Sequence, residues 1–99
     1  MVHANVDNFK SEIASGKVLV DFWAPWCGPC QMMTEVLEDL EQKMPQIKIV
    51  KVNVDEAPQL AIEHGISSIP AFLYFEDGAL KSQTFRYMPL DQLKSRLGL

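Results

Sequence analysis

Residues Lys17 to Trp23 form a nearly unbroken apolar run, Lys-Val-Leu-Val-Asp-Phe-Trp, with no polar face to turn toward water. A strand of this kind must be covered on both sides, so helices have to lie above and below the sheet that contains it. Just beyond the run, Trp26-Cys27-Gly28-Pro29-Cys30 holds both cysteines of the chain and directly precedes a long amphipathic pattern. A buried strand feeding a helix through a paired-cysteine turn restricts the fold to an α/β arrangement with chemistry at the strand's end.

The remaining elements follow with short connections. A helix is expected over Asn5 to Ala14, with Val6, Phe9 and Ile13 at helical spacing, after a short strand at Val2 to Ala4. Gln31 to Met44 places Met33, Val36, Leu37, Leu40 and Met44 on one stripe and Glu35, Glu38, Asp39 and Gln42 off it, and Pro45 closes the helix. Ile47 to Val54 reads as a strand and Pro58 to His64 as a short helix stopped by Gly65. Ala71 to Phe75 and Ala79 to Phe85 flank Asp77-Gly78, a strong hairpin signal, and Leu90, Leu93 and Leu97 mark a last amphipathic helix.

With 99 residues, 47% hydrophobic and 22% charged, the chain suits one compact domain spanning 1-99 with a single core. Its net charge of -4 and pI near 5.0 argue against nucleic acid or an anionic membrane as the main partner. The first residues lack a basic region followed by an apolar stretch, and no segment approaches a membrane span. A cytoplasmic, reducing location is the expectation, and there a Cys-x-x-Cys pair reads as redox or metal chemistry rather than as a scaffold.

Spacing separates a catalytic pair from a structural staple. In the chain-entropy account a loop this short stabilises by roughly 2 kcal/mol, against about 3 kcal/mol for a fifteen-residue loop, so the bond can break without unfolding the domain. Helix neighbours three apart hold their Cβ atoms about 5 to 6 Å apart, whereas a disulfide wants about 3.5 to 4.5 Å, so a modest adjustment reaches both redox states. Gly28 provides backbone freedom and Pro29 presets a helical φ where its missing N-H would be unpaired anyway. The helix start also aims free N-H groups and the positive end of the macrodipole at Cys27, which favours its thiolate. Two blander readings compete with reversible dithiol chemistry. Zinc would need four ligands, and the chain offers only Cys27, Cys30, His3 and His64 without a second paired spacing; an inert disulfide or two buried thiols is the other.

These residues together resemble the thioredoxin family almost end to end. The resemblance is carried by the run from Val20 through Trp26-Cys27-Gly28-Pro29-Cys30, by Lys51-Val52-Asn53-Val54-Asp55, by Gly65-Ile66, by Ile69-Pro70 and by Asp77-Gly78. It implies a thioredoxin fold, with a central five-stranded mixed sheet flanked by four helices. It also implies a monomeric protein-disulfide reductase that binds no cofactor itself and is recharged from NADPH by a flavin-containing thioredoxin reductase. The alternative class is a redox-sensing or interaction module of the same fold, dedicated to one partner.

Cys27 is expected at the exposed end as the attacking thiolate, with Cys30 one turn deeper as the resolving thiol. Asp21 is a lone carboxylate inside a buried strand, so desolvation should raise its pKa and allow it to exchange a proton with Cys30, which is also its role in the family. Lys51 could moderate that charge; an Asp21-Lys51 pair with no chemical task is the structural alternative. Trp26, Gly28 and Pro29 are expected at the substrate surface and Trp23 in packing. The proline matching Pro70 is cis in the family and faces the dithiol, so the resemblance assigns substrate contact to Ile69 and Pro70. Met33 and Met44 fit core positions, and His3 and His64 read as surface residues.

Five positions depart from the family pattern. Glu35 stands where many members have a helix-kinking proline, which predicts a straighter helix. Gln31 replaces a frequent lysine or arginine, and Ala71 a common threonine. Arg86-Tyr87 occupies a segment where the family usually has glycine and a small residue lining the substrate groove, so these two are candidates for setting partner choice.

Overall fold

The computed structural model describes residues 1–99. Strands β1 (Val2–Ala4), β2 (Lys17–Trp23), β3 (Ile47–Asn53), β4 (Ala71–Glu76) and β5 (Ala79–Phe85) make one sheet in the order β1-β3-β2-β4-β5. Helices α1 (Phe9–Ile13), α2 (Gly28–Lys43), α3 (Pro58–Glu63) and α4 (Leu90–Leu97) cover it. β1 and β2 run parallel to β3, β4 runs antiparallel to β2, and β5 antiparallel to β4. The expected five-stranded mixed sheet with four helices is what forms.

The continuous apolar run of β2 is central and paired on both edges, to β3 and to β4. Its alternation sorts the core into two layers. Val18, Val20 and Phe22 join Val50, Val52, Leu73 and Phe75 under Phe9 and Ile13 of α1 and Leu60 of α3. Leu19 joins Ile49, Phe72 and Tyr74 under Met33, Leu37 and Leu40 of α2 and Leu93 and Leu97 of α4. Full burial of each such side chain contributes roughly 1.5–3 kcal/mol, which is why sheet faces and helix stripes must match.

α2 runs unbroken over 16 residues through Glu35, consistent with the absence of proline there. Its buried residues Cys30, Met33, Leu37 and Leu40 repeat at three- and four-residue steps. At the hairpin, Asp77 and Gly78 both take positive φ, at 51° and 84°, as the primed turns require. Asp77 also ties the hairpin to the turn before β2: its Oδ1 accepts from Gly16 N at 2.7 Å while its N donates to Gly16 O at 2.9 Å.

The first helix is shorter than the Asn5 to Ala14 pattern predicts. Asn5 Oδ1 accepts from the backbone of Asp7 at 2.9 Å and Asn8 Oδ1 accepts from Asn5 N at 2.7 Å, so side chains close a turn where the helix would begin. α1 starts only at Phe9, and Val6, expected on its apolar stripe, is exposed. His64 departs from its surface assignment too. Its Nδ1 lies 2.8 Å from Leu60 O, and its ring packs 5.1 Å from Phe9 and 5.8 Å from Phe22.

Leu37→Ala should lower unfolding stability by about 2–5 kcal/mol, because a fully buried side chain between α2 and the sheet is lost. Glu38→Ala, one residue on and exposed, should change it by less than about 0.5 kcal/mol. Urea unfolding of the oxidised protein reads both; equal effects would mean that α2 is not anchored through this stripe.

Candidate active site

The C-terminal end of β2 delivers the chain to the cysteine turn, and the backbone there is closed by Cys27 N donating to Ala24 O at 3.1 Å. Cys27 is the N-cap of α2, with extended φ and ψ of -89° and 107°, and Pro29 sits in the first turn. The backbone N-H of Cys30 donates to Cys27 Sγ at 3.2 Å. That contact places one of the helix's unpaired donors on the sulfur, and a donor directed there stabilises negative charge on it. Cys27 and Cys30 are joined as a disulfide, with their Cα atoms 5.2 Å apart.

Cys27 is less exposed than its expected position at the rim: it is 5% exposed and Cys30 3%. Both sulfurs belong to a small cluster with Ala24, against which Trp23, Val54 and Ile69 pack. The exposed edge is made instead by Trp26, Gly28 and Pro29. Trp26 is 69% exposed, yet its ring is held, because its Nε1 donates to Asp55 Oδ2 at 3.0 Å. Asp55 is positioned by an Asx turn in which Asn53 Oδ1 accepts from Asp55 N at 2.9 Å. Sequence reasoning gave Asp55 no task; its only trace was its place at the end of the Lys51-Val52-Asn53-Val54-Asp55 segment.

Across the turn, the Ile69-Pro70 peptide bond is cis, and the Ile69 carbonyl oxygen lies 4.0 Å from Cys27 Sγ. Pro70 O in turn accepts from Arg86 N at 2.9 Å, so the residue after β5 braces the proline loop. Arg86 takes φ of 81°, in the left-handed region where glycine is at ease, which is a backbone reason for glycine at this place in the family. Trp26, Val54, Ile66 and Ile69 border an apolar groove of about 200 Å³ beside the disulfide. Ile69 and Pro70 are therefore brought to the cysteines, while Arg86 and Tyr87 are exposed and, with Ser68, line a second cavity.

Asp21 lies on the α2 side of the sheet by its alternation with Leu19. It is 1% exposed and its Oδ1 has no hydrogen-bond partner. Burial pushes its pKa up from the ordinary 3.8 to about 7, with the Lys51 charge pulling the other way. Lys51 is the register partner of Asp21 on β3, yet the two form no ion pair. The Lys51 ammonium lies 4.8 Å from the centre of the Trp23 ring, where the π face attracts it. The purely structural Asp21-Lys51 pair is thus not made. His64, packed among the rings on the opposite face from α2, is not beside the cysteines, so the four candidate zinc donors are not assembled.

A disulfide at a helix start, with a helix N-H directed at Cys27 Sγ, is suited to thiol-disulfide exchange. Comparison with known proteins agrees with that chemistry. The thioredoxin family model matches residues 1–98. The thioredoxin of Bacillus subtilis is 43% identical over 95 residues, covering 95% of this chain and 91% of its own. That of Chlamydia muridarum is 53% identical over 72 residues, covering 73% and 71%. The crystal structure of oxidised mitochondrial thioredoxin 3 from Saccharomyces cerevisiae superimposes with a TM-score of 0.90 at 34% identity, covering all of this chain and 95% of that one. A disulfide at the start of α2, in this sheet and with these relatives, makes the chain a thiol-disulfide oxidoreductase that belongs to the thioredoxin family.

Proposed function

We propose that this protein works as a reductant of protein disulfides, with Cys27 attacking and Cys30 resolving. The observation that carries the assignment is the Cys30 N-H directed at Cys27 Sγ, which singles out Cys27 as the sulfur stabilised by the helix start. In the reduced protein, Cys27 thiolate attacks one sulfur of a substrate disulfide; that bond breaks, a mixed disulfide forms, and the departing thiolate takes a proton. Cys30 then loses its proton and attacks Cys27 Sγ. The second substrate thiol is released, and the two electrons given to the substrate leave Cys27 and Cys30 as a disulfide.

A thiol with pKa near about 8.5 is only a few per cent thiolate at neutral pH, and lowering it by ~1.5 units raises that to about half. Asp21 is the proton acceptor we assign to Cys30, because a carboxyl that titrates near 7 can both take and return a proton at physiological pH. Lys51 has a supporting part: its charge lowers the Asp21 pKa against the rise from burial. Ile69 and Pro70 supply the backbone edge along which an extended substrate segment lies, and Trp26, Gly28 and Pro29 form the opposite bank. Arg86 and Tyr87 bound the same surface.

The unit of function is the single domain 1-99, acting as a monomer. Electrons come from NADPH through a flavin-containing thioredoxin reductase, and a reducing, cytoplasmic setting suits a carrier that must be returned to the dithiol after each turnover. Insulin reduction coupled to NADPH oxidation through such a reductase should proceed over many turnovers. Activity with dithiothreitol but none with the reductase would replace this recycling partner by a dedicated one.

Cys30→Ser should accumulate a mixed disulfide through Cys27 that is visible by intact mass, while Cys27→Ser should trap none. The reverse pattern would invert the roles.

Asp21→Asn should slow the resolving step by about ten- to a hundredfold and remove the rise in its rate as pH passes through about 7. An unchanged pH profile would end the proton-transfer role. The same group sets a stability slope. Between pH 3.8 and about 7 the folded state keeps the Asp21 proton and the unfolded state releases it, so stability falls as pH rises through that window. Asp21→Asn should flatten the slope and stabilise the oxidised protein at neutral pH by up to about 4 kcal/mol. Denaturant midpoints at pH 5 and pH 8 read the difference.

A further inference from the structure

The chain has two arginines, Arg86 and Arg96, and both line one cavity of about 580 Å³. Neither guanidinium is engaged in an ion pair or a side-chain hydrogen bond; the cation that is paired through its side chain is Lys48, to Glu12 at 2.8 Å. Ser68, Thr84, Tyr87 and Gln92 add hydroxyl and amide groups to the wall, and no carboxylate does, in a chain with 13 acidic residues against 9 basic ones. Gln92 and Arg96 stand four apart on α4 and so share a face. Arg86 enters from the end of β5 with φ of 81°, so an arginine is held where the backbone would favour glycine.

The place of the cavity ties it to the disulfide. Ser68 lines both this cavity and the apolar groove beside Trp26. Between the two lies the loop whose Ile69 carbonyl oxygen is 4.0 Å from Cys27 Sγ and whose Pro70 carbonyl accepts from Arg86 N. A segment laid along that loop to present a disulfide to Cys27 would pass the apolar groove on one side and the paired arginines on the other.

We infer that the cavity is a carboxylate-binding subsite, in which an aspartate or glutamate close in sequence to the substrate's disulfide docks between Arg86 and Arg96. The inference rests on the reading of the protein as a disulfide reductase and names the substrate class: protein segments with an acidic residue near the target cystine. Planar guanidinium groups match the two oxygens of a carboxylate, and the polar wall satisfies what the arginines leave unpaired. Because both arginines are exposed, the effect is modest and weakens with salt.

The test uses two disulfide-linked peptides that differ only in a glutamate or a glutamine beside the cystine. Their kcat/KM values are measured with the intact protein, with Arg96→Gln and with Lys81→Gln, an exposed cation on β5 outside the cavity. The intact protein should prefer the glutamate peptide by about three- to tenfold at low salt, a ratio set by what solvent-facing charge pairs contribute. Arg96→Gln should bring the ratio close to one, and Lys81→Gln should leave it in place. Equal reduction of both peptides by the intact protein overturns the subsite while leaving the reductase reading intact, whereas reduction of neither overturns that reading itself. A preference that survives Arg96→Gln, or that Arg96→Gln and Lys81→Gln erode equally, overturns the subsite in favour of overall charge.

Discussion

Pairing of β2 on both edges, with burial of both its faces, is the constraint from which the rest of the molecule is arranged. Val18, Val20 and Phe22 satisfy one layer and Leu19 the other, so the strand cannot shift by a single residue without turning each set to the wrong side. That register puts Asp21 on the α2 side, opposite Lys51 on β3 and Phe72 on β4. It also sets where the chain leaves the sheet, and hence where the cysteine turn and the start of α2 stand. From β4, which pairs with β2 in the other direction, the cis Ile69-Pro70 bond arrives at the same end of the sheet.

The site exploits two environments that act oppositely on acidic groups. At the helix start, unpaired N-H donors favour negative charge, and Cys27 receives one of them from Cys30. Inside the sheet, removal from water disfavours negative charge, and Asp21 with its unpartnered oxygen is held near neutrality. One group is thereby favoured as an anion, and the other is shifted toward its protonated form. Lys51 tempers the second effect from a distance, its ammonium occupied by the Trp23 ring.

Much of this was legible in the chain because it depends on local periodicity and spacing. The burial of β2 follows from an apolar run, the course of α2 from Met33, Leu37 and Leu40, and the hairpin from Asp77-Gly78, whose positive φ values few other residue pairs would accept. Where local patterns compete, reading by periodicity fails. Val6, Phe9 and Ile13 have helical spacing, but the Asn5 and Asn8 side chains capture backbone N-H groups and close a turn first. His64 carries no sequence sign that Phe9, Phe22 and Phe75, from three separate elements, will surround it.

The sequence alone determined the redox pair, the helix that follows it, the buried carboxylate and the alternation of strands and helices. Each rests on residues close together in the chain, where covalent geometry and side-chain period are decisive. Only the tertiary structure decided how buried Cys27 would be, that Lys51 would face the Trp23 ring rather than pair with Asp21, and that Asp55 would hold Trp26. It also decided that Arg86 and Arg96 would share one wall beside the proline loop. Those relations join residues from different elements, and which of them meet is set by sheet order and packing against solvent, which no spacing along the chain encodes.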